Sequence, residues 1–364
     1  MMRVALVGPQ APPQGGMAGQ FSRLCRRLRE EGCTVHPVVM NAPYAPAWVG
    51  RVRGLRAVFR LVPYIARLWR VCGEVEVMHV MANSGWAFHL FATPAVWVAR
   101  LRGVPVVMSY HGGLARAFCA RNIRWLRPTL QRAQLIVPSG FLKAVFAEFG
   151  VHATVVPNSV ELPVVASAPR RRGAQVVVTR NLEPIYDIAT ALRAFEIVHR
   201  QRPHARLTIA GSGPELEALV ALSSSLGIAG RVRFAGRLSP FEIAALYREA
   251  DVMLNPSLAD NMPNCLLEAW AHRVPVVSTR AGGVPWLAQH NHTALLVPPG
   301  EVAPMANALM RLIDHPGLAR RLADNAAREV AQYQWPHIRP KLLAAYQTAR
   351  DGQGGARARP GTRG

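Results

Sequence analysis

The chain reads as an α/β protein built in two halves, each a parallel sheet covered by helices. Three observations carry that reading. Short apolar runs of strand length alternate with helical patterns from the first residues onward. The alternation stops at residues 163–173, PVVASAPRRRG, a stretch of linker composition, and restarts after it. At 364 residues the chain is long enough for two domains that each bury a core.

The elements follow in order. In the first half, 4–7, 35–40, 75–80, 104–109, 135–138 and 154–156 read as strands, and 21–31 as a helix behind a glycine-containing loop. In the second half, 175–179, 206–210, 232–235, 252–254, 274–278 and 294–297 alternate with helices in the same way. The expected domains are 1–165 and 172–335. A last helix follows at 336–350, and a Gly/Arg/Pro-rich tail at 351–364 has the composition of a disordered segment.

Composition excludes several classes. The longest apolar stretch, 86–99, is interrupted by His89, Thr93 and Pro94 and is too short to span a bilayer. The N-terminus enters a strand without a signal-peptide pattern. Cys25, Cys33, Cys72, Cys119 and Cys265 show no C-x-x-C spacing, which argues for a reducing cytosol and against structural zinc. No Asp-x-Asp triplet occurs, so neither a metal nor a cofactor is expected.

The formal charge is +22, and lysine occurs only at Lys143 and Lys341. Between Arg51 and Arg132 thirteen arginines face two acids, Glu74 and Glu76, which implies an anionic partner for the first half. Within 51–72, Arg53, Arg56, Arg60, Arg67 and Arg70 recur at helical spacing, with Leu55, Val58, Phe59, Val62, Ile65 and Trp69 on another side. Pro63 is expected to kink or end that helix. A basic amphipathic helix of this kind suits an anionic membrane surface. Nucleic acid is not expected, because no stacking platform interleaves the arginines.

Residues 255–285, NPSLADNMPNCLLEAWAHRVPVVSTRAGGVP, concentrate the chemistry. Asp260 and Glu268 stand eight positions apart. Pro263 suits the first position of a helix, and Leu266, Leu267 and Trp270 give it an apolar face. Free backbone N–H groups around Met262 to Cys265 would point out of that helix end, a ready anion site, with Asn261, Met262, Pro263 and Asn264 as the donor-binding residues expected there. Two carboxylates beside a phosphate-binding helix end suit a nucleotide-activated substrate.

This segment resembles the donor-site motif of the family 4 retaining glycosyltransferases, in which two acids separated by seven residues precede a PVV strand and a Gly-Gly turn. The resemblance extends from Val4 to about Tyr346. It implies the GT-B fold, two Rossmann-like domains whose strand ends face one another across a cleft, with the last helix crossing back to the first domain. It implies a nucleotide-sugar donor held mainly by the second domain: Glu268 on the ribose, Arg180 on the diphosphate, Asp260 and its loop at the transferred sugar. Gly15 and Gly16 would lie over the diphosphate, and His111, at the end of strand 104–109, would contact the sugar. Such enzymes are thought to react by front-face substitution, with the leaving phosphate assisting deprotonation of the acceptor.

The acceptor fitting a basic first domain is a saccharide or lipid-linked saccharide. That points to cell-surface polysaccharide assembly by a cytoplasmic protein peripheral to the inner face of the membrane. Four positions depart from the family pattern. Asp260 replaces a glutamate, Arg273 and Trp286 flank the PVV strand and Gly-Gly turn where glycine and glutamate are usual, and Tyr186 falls near a position usually held by lysine. Two other readings stay open at this point: another GT-B enzyme such as a nucleotide-sugar epimerase, and a non-catalytic glycan-binding protein of the same fold.

Overall fold

The computed structural model describes residues 1–11, 16–42, 55–161 and 174–357, with the side chains of all but 55–58 and 353–357. The expected linker, 163–173, lies outside the described residues. The chain divides into two compact units, one formed by 1–157 with 336–364 and the other by 158–335.

The first unit runs β1 (Arg3–Gly8), α1 (Gly16–Glu30), β2 (Thr34–Val39), α2 (Leu55–Val71), β3 (Val77–Ala82), α3 (Thr93–Leu101), β4 (Val106–Tyr110), α4 (Ala115–Leu130), β5 (Gln134–Val137), α5 (Gly140–Glu148) and β6 (Thr154–Val155). Its strands pair in parallel in the order β2-β1-β3-β4-β5-β6. All six residues of β3 are buried, as expected of a parallel strand covered on both faces. Ala5, Val7, Met78, Val80, Met108 and Val137 share one core with Leu68 of α2 and Leu142 of α5.

The second unit runs β7 (Gln175–Val178), α6 (Ile188–Gln201), β8 (Arg206–Ala210), α7 (Leu216–Ser225), β9 (Val232–Gly236), α8 (Pro240–Glu249), β10 (Val252–Asn255), α9 (Asn264–Ala271), β11 (Val276–Thr279), α10 (Val284–Leu287), β12 (Leu295–Val297), α11 (Val302–Asp314) and α12 (Pro316–Val330). Its sheet is also parallel, in the order β12-β11-β10-β7-β8-β9. Alternate residues feed two cores: Val176, Val178 and Leu254 on one face, Val177 and Met253 on the other. Helix α13 (Trp335–Arg357) closes the chain and belongs, from residue 336, to the first unit.

All twelve expected strands are present, displaced by two residues at most. Strand order locates the ligand-binding ends. In the second sheet β7 and β10 are neighbours from which the chain departs in opposite directions, and β1 and β3 hold the same relation in the first. Open α/β sheets bind ligands beyond the carboxyl ends of strands at such switch points.

Three expectations are corrected. Helix α2 continues through Pro63 instead of ending there. Pro263 is the N-cap of α9, with φ −67° and ψ 116°, so its extended ψ places it just outside the helix. Residues 351–357, expected to be disordered, continue α13, aided by the Gln347 side chain donating to Asp351 one turn on at 2.8 Å.

Candidate active site

Arg180 follows β7 and Asp260 follows β10, so the two strands of the switch point deliver them to one place. Arg180 Nη2 donates to Asp260 Oδ2 at 2.5 Å, and Nη1 to Cys265 Sγ at 3.4 Å. The guanidinium carbon stands 4.0 Å from the centre of the Tyr186 ring. The paired side chains are 11% and 13% exposed, and Arg180 Nε is buried with no hydrogen-bond partner. Burial opposes the arginine's charge, but the Asp260 carboxylate, with Cys265 and Tyr186 adding to it, raises the guanidinium above its ordinary pKa. Burial also pushes the Cys265 thiol up to about 12, with Asp260 and Glu268 adding to the rise and Arg180 opposing it.

The backbone around this pair is fixed by glycines. A Cβ on Gly211 would come within 1.9 Å of the Arg180 carbonyl oxygen, so the Gly-Ser-Gly turn after β8 packs directly on the residue it supports. A Cβ on Gly282 would meet the Asp260 carbonyl oxygen at 2.2 Å, at a φ of +52° that already favours glycine. Gly283 N–H donates to that carbonyl at 2.9 Å. The Gly-Gly turn after β11 therefore holds the loop that presents Asp260.

Glu268 is half-buried on the second turn of α9. Its charge, after burial, is the largest contributor to the raised pKa of the Tyr247 phenol, so the carboxylate lies near that ring. Tyr247 is buried, shares a hydrogen bond with Thr179 Oγ1 at 2.6 Å, and donates to the Cys265 carbonyl at 3.2 Å. Asn261 and Met262 are buried, and the Asn264 side chain accepts from Asn158 at 3.0 Å. No N-cap side chain satisfies the start of α9, since Pro263 offers none. Arg180, Asp260 and Glu268 thus gather around Cys265, a residue the sequence gave no reason to single out. Tyr247 and Thr179 were equally silent. Tyr186 was visible only as a missing lysine, and its ring proves to be the surface on which Arg180 rests.

Arg273, where the family has glycine, adopts φ +54° directly after the C-cap of α9, the left-handed position that glycine usually fills. Its side chain pairs with Asp324 of α12 at 2.9 Å.

In the first unit, His111 follows β4, and its N–H donates to the Ala82 carbonyl at 3.0 Å. Its Nε2 is buried without a partner, and burial lowers its pKa to about 4. Beneath it, the fully buried His79 bonds Tyr346 Oη of α13 and Ser109 Oγ, each at 2.8 Å. Burial, with His111 beside it, lowers the His79 pKa to about 3. Ser84 and Tyr110 share a 2.6 Å hydroxyl pair, and a Cβ on Gly112 would collide with both hydroxyls and with Asn83. Gly16 is the first residue of α1, and Gly15 lies outside the described residues.

The basic face of α2 differs from expectation. Arg60 and Arg67 donate to the carbonyls of Ala42 and Pro37, at 3.5 and 3.0 Å. Arg53 lies outside the described residues, as does the side chain of Arg56. The helix buries Tyr64, Leu68 and Val71 and leaves Phe59, Val62, Ile65 and Trp69 exposed. The α2 surface is therefore as much apolar as basic, because two apolar stripes were available and only one meets the sheet.

Comparison with known proteins follows the same division. Residues 173–315 match the family model described as Glycosyl transferases group 1, and residues 14–163 match Glycosyltransferase Family 4. The chain is 27% identical over 282 residues to a glycogen synthase of Mycobacterium tuberculosis, covering 72% of this chain and 68% of the relative. It is 28% identical over 385 residues to a GDP-mannose-dependent alpha-(1-6)-phosphatidylinositol monomannoside mannosyltransferase of the same species, covering 94% and 97%. A sucrose-phosphate synthase from Thermosynechococcus elongatus superposes with a TM-score of 0.76 at 19% identity, covering 97% of this chain and all of that one, a likeness of fold. Both halves being matched, the chain belongs to the group 1, family 4 glycosyltransferases and has the GT-B fold.

Proposed function

We propose that this glycosyltransferase moves a sugar, with retention and without a metal, from a nucleotide-sugar donor on its second unit to a saccharide or lipid-linked saccharide acceptor on its first. One observation carries the reading. At the switch point of the second sheet a buried arginine, two carboxylates and the uncapped start of α9 converge. An arginine and a helix N-terminus are the groups that bind phosphate, and a half-buried carboxylate suits a ribose diol. Glu268 takes the ribose, Arg180 with the start of α9 takes the diphosphate, and the loop 260–264 faces the transferred sugar. The protein's contribution is to hold the reacting atoms together and to stabilise charge on the departing phosphate. His111, neutral at pH 7 with an unpartnered Nε2, accepts a hydrogen bond from a sugar hydroxyl.

The acceptor side is proposed on the first unit, at the inner face of the membrane, in cell-surface polysaccharide assembly. The exposed Phe59, Val62, Ile65 and Trp69 on α2 support this, as does Arg102 stacked 4.9 Å over Trp69. The mannosyltransferase relative, named for a phosphatidylinositol acceptor, points the same way.

The donor reading is tested by calorimetry with a panel of nucleotide sugars. Glu268→Gln should lower affinity for the preferred donor by about 1.5–3 kcal/mol while the protein stays folded. Unchanged affinity would remove Glu268 from the ribose. Anionic vesicles should sediment the wild type at low salt, less so with Trp69→Gln, and protein that ignores them would end the membrane assignment.

A further inference from the structure

Asp260 is the position where this chain leaves its family's pattern, and both of its oxygens are already engaged. Oδ2 takes Arg180 Nη2 at 2.5 Å, and Oδ1 takes the Asn261 N–H at 2.9 Å. Its carbonyl is fixed as well, by Gly283 N–H, with Gly282 leaving no room for movement on that side. The side chain is therefore built to face the guanidinium.

The guanidinium is equally constrained. Cys265 Sγ takes Nη1, and the Tyr186 ring covers one face, near the place where a lysine would have brought a second positive charge. The guanidinium is already paired with a carboxylate before any diphosphate arrives. A diphosphate arriving here shares Arg180 with a carboxylate, and meets less net positive charge than an unpaired arginine would offer.

We infer that Asp260 is the counter-ion of Arg180, a positioning residue that limits how tightly the site grips a nucleoside diphosphate. The inference rests on the reading that Arg180 faces the donor diphosphate. The nucleoside diphosphate is common to donor and product. A weaker grip on it lets the product leave. The Nε–H, taken by neither Asp260 nor Cys265, is the donor this arrangement leaves over.

The experiment is calorimetric titration of the full chain with sugar-free nucleoside diphosphates, GDP, UDP and ADP, using whichever binds the wild type most tightly. Asp260→Asn removes the charge but keeps the shape, and should bind that diphosphate about tenfold more tightly, about 1.4 kcal/mol. Asp260→Glu keeps the charge and should bind as the wild type does. The gain should vanish when Asp260→Asn is combined with Arg180→Gln, since the effect acts through the arginine. Product inhibition of transfer should strengthen in Asp260→Asn in the same proportion.

Unchanged or weaker diphosphate affinity in Asp260→Asn overturns the inference, as does a gain that persists without Arg180. If Asp260 were a sugar ligand, only the nucleotide sugar, not the bare diphosphate, would respond. An Arg180→Gln protein that binds diphosphate as well as the wild type would instead refute the diphosphate reading, a separate and recognisable failure. Should Asp260→Asn not fold, Asp260→Glu and Arg180→Gln still decide: a tenfold change in diphosphate affinity with the charge-conserving variant is incompatible with the counter-ion role.

Discussion

The two units end their strands in opposite electrical states. Beyond β7 and β10 the second unit places a guanidinium and a carboxylate in contact, buried and charged. On and just past β3 and β4 the first unit places His79, Ser109, Tyr110, Ser84 and His111, with burial keeping both histidines neutral. The same sheet architecture underlies both, so the difference lies in the residues hung on it. On the proposed reading, the charged pair stands where a diphosphate is met. Neutral acceptors and donors suit a sugar hydroxyl, which carries no charge before reaction.

Substituting the charged member of the comparison should have the largest effect. Arg180→Met leaves Asp260 buried without its counter-ion and should cost the second unit about 3 kcal/mol or more, read as a lowered transition in calorimetry. Little change would show that solvent reaches the pair freely. The neutral cluster should respond to acid. His79 titrates near 3 when folded against about 6.5 when unfolded, so its folded pKa is the lower of the two. Its unfolded form binds the proton first. The stability tied to neutral His79 is therefore complete above pH 6.5 and is lost as pH falls toward 3. The loss should be of order 3 kcal/mol between pH 6.5 and 4, with His111 contributing in the same direction. A urea midpoint flat across that range would contradict the buried neutral pair.

A smaller effect should follow from Ser109→Ala, which strips the partner from His79 Nε2. It should cost about 1–3 kcal/mol for a buried group left unsatisfied, with nucleotide affinity unchanged. Loss of nucleotide binding would show that the two clusters are coupled. The least effect is expected at Arg273→Gly. Relief of the left-handed backbone should stabilise by about 0.5–1 kcal/mol, offset in part by loss of the exposed Asp324 pair. A destabilised variant would mean the ion pair outweighs the backbone.

The fold was legible because most strands are short, largely apolar runs between turn signals. Spacing and family pattern placed Arg180 and Asp260 at strand ends and Glu268 on the helix that follows, and the structure has them at those positions. What escaped was what needs distance. That Arg180 would choose Asp260 and lie on Tyr186 depends on the order of β7 and β10 in the sheet, which the chain crosses only after two intervening strands. The packing of α2 escaped for a related reason: a helix with two apolar stripes does not say which one meets the sheet. His79 gave no signal at all. One histidine in an apolar strand reads as an accident until its two partners, on β4 and α13, are seen.

The hydrogen bond from His79 to Tyr346 joins residues 267 positions apart, and the whole second unit is strung between them. During synthesis the second unit can be complete while the first still lacks the helix that satisfies its buried histidine. The first unit is the last to be finished although it is the first to be made, and its sheet must wait with one face open. A chain released before residue 336 would carry a finished second unit and an unfinished first unit. Such a chain should bind nucleotide yet be recognised by quality control as unfolded. The position of one tyrosine thus sets the order in which the enzyme comes into being.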